Sequence, residues 1–132
     1  TTPECSEGQC LNVFVGEGLW DSLGRRGANG CCSAMVYWNP RIVLALWRDL
    51  GQKRWDNVDT VCGKIRALHA FLAATYAPKG FTDTAYDRMG GRATGFLGTS
   101  LRSRAPYPSA TAEDVTRLQQ WYEANWPEML QL

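Results

Sequence analysis

The side chains best equipped for chemistry are five cysteines, one histidine and two closely spaced arginines. Cys31 and Cys32 are adjacent and suggest a thiol pair. Neighbouring residues of an extended strand point to opposite faces, however, so a bridge between them is strained and a redox role is disfavoured. A zinc site needs Cys-x2-Cys units or histidine partners at short spacing. Cys5, Cys10, Cys31, Cys32 and Cys62 offer neither, so no metal is expected and reduced thiols in a cytoplasmic protein are the simpler reading. Cys5 and Cys10 are close enough to pair across a short loop, but nothing requires it. His69 has the chemistry of a general acid or base. It falls on the apolar stripe of a long helix without a partner at suitable spacing, which reads as a packed or interface histidine. Arg102 and Arg104, beside Pro106 and Tyr107, form a fork able to clamp a carboxylate.

The composition narrows what these groups serve. With 45% apolar residues and six tryptophans in 132 residues, the chain has enough material for a packed core. Fourteen basic and thirteen acidic residues are interspersed to give a net charge of +1, so neither nucleic acid nor an anionic membrane is expected as a partner. No apolar run approaches the roughly 20 residues that span a bilayer. Thr1 to Gln9 is too polar for a signal peptide.

The elements that must position these groups change character along the chain. LNVFVG (Leu11 to Gly16) is a short apolar run closed by glycine, as in a buried parallel strand. Leu19 to Arg26 reads as a short helix with Gly27 at a left-handed cap, and GCCSAMV (Gly30 to Val36) as a second strand. This β–α–β unit implies parallel strands with a right-handed crossover. Only helices follow. Asn39 and Pro40 start one that Gly51 stops, and Val43, Leu46, Trp47 and Leu50 form its apolar face. Another runs from about Arg54 to Ala74, with Val58, Val61, Cys62, Ile65, Leu68, His69 and Leu72 on its stripe. A short helix from Thr82 or Asp83 to about Met89 should end at Gly90-Gly91. Arg102 to Pro108 must be extended because its two prolines restrict their neighbours. Thr111 starts the last helix, with Asp114 three residues on as a variant capping box. Two strands cannot shield their own sheet edges, so this inventory suits the end of a larger α/β protein.

The order of these elements resembles the C-terminal part of the dihydrodipicolinate synthase and N-acetylneuraminate lyase family. VFVGEG (Val13 to Gly18) resembles its seventh strand, ending in glycine plus an acidic residue. RRGANGCCSAMVYWNPRIVLALW (Arg25 to Trp47) is similar to its Gly-x-x-Gly, small apolar strand and Pro-initiated helix. RAPYPSATAEDVTRLQQW (Arg104 to Trp121) resembles its Arg-x-Pro-hydrophobic segment and final helix. The long helix ending in LHAFL fits the same register, so the likeness runs from about Leu11 to the end.

The resemblance implies an α/β fold: the last two parallel strands of a (β/α)8 TIM barrel in residues 1–50, and a C-terminal helical region in 51–132 that packs on the barrel and on neighbouring subunits. It implies a lyase, whether aldolase, hydratase-aldolase or dehydratase, acting on a 2-oxo acid and an aldehyde through a lysine Schiff base without another cofactor. The family's lysine, proton-shuttle tyrosine and carboxylate-binding threonines lie upstream of the matched stretch, so no catalytic residue is carried over. Lys53 in a polar turn, Lys64 off the apolar stripe and Lys79 in a Pro-Gly loop all read as solvated, hence protonated, amines. Barrel active sites lie at the C-terminal ends of strands. This leaves Gly16, Glu17 and Cys32 as candidate substrate-binding residues, Cys32 matching a position whose backbone contacts bound pyruvate. A small core residue at Cys31 or Cys32 and a surface loop carboxylate at Glu17 are the plainer alternatives. In the family, the segment holding Arg102 and Arg104 mostly packs helices against the barrel. A homo-oligomer, dimer or tetramer, is likewise implied. The alternative is a non-catalytic half-barrel interaction module that assembles with a partner chain.

Overall fold

A computed structural model describes residues 12–132. Cys5, Cys10, the polar start and the first residue of the expected strand at Leu11 lie outside the described residues. Phe14–Val15 form β1 and Gly30–Cys31 form β2. They pair in parallel, Phe14 opposite Gly30 and Val15 opposite Cys31. Between them a 3-10 turn (Glu17–Leu19), α1 (Trp20–Leu23) and a second 3-10 turn (Gly24–Arg26) make one compact crossover. Gly27 closes it at φ +98°, a conformation that glycine adopts without steric cost.

The second strand is shorter than the apolar run GCCSAMV suggests. It ends at Cys31, and Ala34–Tyr37 wind into a 3-10 turn that buries Met35. Ser33 drives the change: its hydroxyl accepts from the Met35 amide at 3.1 Å and so offers the backbone an alternative to a ladder. A run of small apolar residues fits a buried turn as well as a buried strand, and periodicity cannot separate the two.

The rest is helical. Asn39 caps α2 (Pro40–Gly51) by accepting from the Arg41 amide at 3.0 Å, and Pro40 fills the first helical position. Gly51 is the last residue of α2, and Lys53 takes the left-handed conformation just beyond (φ +55°). The central helix α3 (Trp55–Tyr76) buries Val58, Cys62, Ile65, Leu68, Leu72 and Tyr76 along one stripe. α1 and α2 both pack on α3, while the 3-10 turn at Ala34–Tyr37 sits against α2 and α4 (Asp83–Thr94).

α4 runs through Gly90-Gly91 instead of stopping there. The two glycines serve close packing: a Cβ on Gly90 would stand 2.3 Å from Trp38 Nε1, and one on Gly91 2.8 Å from Leu97 Cβ. The left-handed stop falls at Gly95, φ +81°. The segment expected to be extended carries a turn, closed by the Tyr107 amide donating to the Arg104 carbonyl at 3.0 Å. α5 (Ala112–Asn125) begins with the capping box: Thr111 accepts from the Asp114 amide, and Asp114 accepts from the Thr111 amide. α5 packs on α4 and meets α3 through side chains, with Phe71 stacked on Trp121 at 5.3 Å and the Tyr76 hydroxyl donating to the Asp114 carbonyl at 2.9 Å. Trp20, Trp38 and Trp126 lie in the resulting core.

Asn39 does more than cap. Wholly buried, it also donates from Nδ2 to the carbonyls of Met129 and Gln131, both at 3.1 Å. The start of α2 is thereby tied to the 3-10 turn Pro127–Leu130 at the far end of the chain.

Candidate functional site at the strand ends

Parallel pairing puts the carboxyl ends of both strands at one end of the sheet. Gly16 and Glu17 follow β1 there, and Cys32 and Ser33 follow β2. The candidate residues Gly16, Glu17 and Cys32 are thus brought to the same end. Gly16 is exposed, with its carbonyl accepting from the Leu19 amide at 3.0 Å, and Cys32, one residue past the Val15–Cys31 pair, is exposed too.

Glu17 is not a surface loop carboxylate, as its place after a strand suggests. It is 6% exposed. Its turn is pressed onto α3: the Cys62 thiol meets the Glu17 carbonyl at 3.4 Å, and a Cβ on Gly18 would stand 3.3 Å from Ile65 Cγ2. Cys31 Sγ lies 3.8 Å from Glu17 Oε2 and bridges the two strand ends. Burial first, then the charge of Glu17, pushes the Cys31 thiol up to about 12. At neutral pH Cys31 is therefore a weak S–H donor and not a thiolate nucleophile. Burial likewise pushes the Cys62 thiol up. The strand ends therefore offer two exposed residues, Gly16 and Cys32, beside a buried Glu17 side chain that meets the Cys31 thiol. Residues placed there can position a small polar ligand by hydrogen bonds, and Cys32 carries a free, exposed thiol.

Two of the three lysines are ion-paired. Lys64 Nζ pairs with Glu128 Oε1 at 3.1 Å, Lys79 pairs with the Asp114 carboxylate, and Lys53 is exposed in its turn. Arg102 and Arg104 are exposed and form no ion pair among the described residues. Among the described residues no group of three or more His, Cys, Asp or Glu side chains could hold a metal ion, and no helix is long and apolar enough to cross a membrane.

His69 departs from the expected stripe. It is exposed and stands at the rim of a cleft of about 320 Å³ between α3 and α4, with Trp38, Asp83, Tyr86 and Asp87. Asp87 Oδ1 and Trp38 Nε1 are buried there without hydrogen-bond partners among the described residues. Burial, then Asp83, pushes the Asp87 carboxyl above its ordinary range. The available signal was the four-residue spacing of Asp83 and Asp87, which puts both on one helical face.

No protein-family model, curated protein or solved structure matches this chain.

Proposed function

We propose that the chain is the C-terminal part of a (β/α)8-barrel lyase that acts on a 2-oxo acid through a lysine Schiff base. The observation that supports this reading is the parallel register of β1 and β2, which gathers Gly16, Glu17 and Cys32 at the carboxyl end of the sheet. That end is where barrels of this type carry their chemistry. The reactive amine condenses with the 2-oxo group, water leaves, and the resulting iminium accepts the electron pair released when a C–H or C–C bond at C3 breaks. Lys64 and Lys79 are ion-paired and Lys53 is exposed, so the amine in this reading comes from another segment of the barrel. The strand ends contribute backbone groups that orient the substrate. The expected assembly is a homo-oligomer, dimer or tetramer.

Borohydride reduction of the native protein in the presence of pyruvate, followed by peptide mass mapping, tests the proposal. A covalent adduct on a lysine other than these three is the expected result. No adduct, or an adduct confined to Lys53, Lys64 or Lys79, would overturn it.

A second reading, a non-catalytic half-barrel module that pairs with a partner chain, is favoured by the exposure of Val13 and Phe14 at β1. It calls for a missing adduct together with a stable assembly that covers this sheet flank.

A further inference from the structure

We propose that the cleft between the turn 24–29 and the α2–α3 junction binds a flat aromatic molecule carrying an anionic group. The turn leads into β2, so the cleft lies at the amino end of that strand, away from Gly16, Glu17 and Cys32. The proposal does not depend on the lyase reading.

The cleft measures about 720 Å³, within the range of small-ligand sites. Trp47, Trp55 and Leu50 supply its apolar walls. Trp47 is 47% exposed, yet its ring is braced by the buried Trp20 at 5.3 Å between centroids. Trp55 is braced from its other neighbour: the Arg25 guanidinium lies 4.7 Å from its ring centroid. These are fixed aromatic faces, and a flat ring stacks on such faces at little cost in side-chain ordering.

The charges select the sign of the ligand. Arg25 is spent on Asp59 through two hydrogen bonds of 2.8 and 2.9 Å, so it acts as a brace. Arg26 and Lys53 also line the cleft, and neither forms an ion pair among the described residues. Among the described residues no carboxylate belongs to the lining. Asn29 is already engaged, accepting from the Val13 amide at 2.9 Å and donating to Asn12 at 2.7 Å. Two cations that form no ion pair among the described residues, beside two aromatic faces, fit an anionic group on a planar ring. The wall is also tight: a Cβ on Gly24 would stand 2.6 Å from Leu50 Cδ1, so the turn is seated directly on α2.

An aromatic carboxylate and a mononucleotide share this chemistry, and a titration distinguishes them. The full chain, labelled with ¹⁵N, is titrated with benzoate and with AMP while the indole N–H signals of Trp47 and Trp55 are followed. Benzamide and adenosine serve as the uncharged counterparts. Saturable shifts at both indoles with at least one anion are expected, and the responding anion names the source. Arg26→Ala/Lys53→Ala should weaken binding about tenfold or more, as the loss of charge-assisted hydrogen bonds requires. Trp47→Ala should weaken it too, while Arg104→Ala should bind as the parent does. The proposal is overturned if neither anion shifts the indoles, if the uncharged counterparts bind as tightly, or if Arg26→Ala/Lys53→Ala binds unchanged. Arg26, Lys53 and Arg104 are exposed and Trp47 is half-exposed against Trp20, so retention of the parent's far-UV circular dichroism is checked in each variant, and the charge variants carry the test where Trp47→Ala does not fold.

Discussion

At the sheet, Val13 and Phe14 leave 48% and 62% of their surface in water. Along α3, by contrast, Val58, Cys62, Ile65 and Leu68 leave none. Both regions are rich in apolar side chains, so composition does not separate them. What separates them is whether neighbours exist to receive the apolar face. The helices enclose one another: α3 is covered by α1 and α2, α5 is laid on α4, and long aromatic side chains close the gap between α3 and α5. The parallel pair β1–β2 has helical support from α3 beneath its ends, but no further strand among the described residues. Its hydrogen-bonding edges and its apolar flank still need a partner. Among the described residues, the helical body thus covers its own apolar face, while the two-strand sheet leaves part of its own in water.

That contrast can be broken by substitution. The largest loss is expected deep in the helical body, where Leu118→Ala removes a wholly buried side chain from α5 and should cost about 2–5 kcal/mol in denaturant unfolding. Next comes Asn39→Ala, which removes a cap, strands the buried carbonyl of Met129 and frees the part-buried one of Gln131. A loss of about 2–3 kcal/mol is expected. It should be accompanied by earlier proteolysis near the C-terminus, because the side chain is what ties that end to α2. At the sheet, Phe14→Ser should cost under about 0.5 kcal/mol, as for other exposed positions. A loss at Phe14 comparable with that at Leu118 would erase the distinction between the regions.

Acid unfolding sharpens the same comparison with a smaller effect. Burial raises the Asp114 carboxyl, but the hydrogen bond from Lys79 and the amide of Thr111 outweigh it and hold the group below its ordinary range. A carboxylate whose folded value lies below its unfolded one contributes stability that is fully present above the unfolded value, about 3.9. The contribution is lost as pH falls through the folded value. Urea midpoints measured from neutral pH downward should therefore fall in that acid range. The fall should be shallower in Asp114→Asn, which has no such proton to take up.

How much of this was legible varied with how local the signal is. Asn39-Pro40, Thr111 with Asp114, and Gly27 act within a few residues of themselves, and each stands where the sequence put it. Gly90-Gly91 was misread as a stop because glycine has two uses, and only the distant Trp38 ring shows that close approach is the one at work. Ser33 bent an apolar run out of the strand by a side-chain bond two residues long, which a hydropathy pattern cannot register. His69 shares the spacing of its stripe yet sits at its margin, since a stripe read from spacing is wider than the face that is finally covered. Of the candidate site, the placement of Gly16, Glu17 and Cys32 at one end follows from parallel pairing. The burial of Glu17 does not, because it depends on where α3 crosses beneath the turn.

The claim on which this account turns is that the two-strand sheet is far less well supported than the helical body. Hydrogen exchange on the 132-residue chain, read residue by residue, tests it most directly. The amides of α3 from Val58 to Leu72 should exchange only through global unfolding, while those of Phe14, Val15, Gly30 and Cys31 exchange far faster through local opening. Strand amides protected as strongly as α3 would contradict the account, for the small sheet would then be as well supported as the helical body.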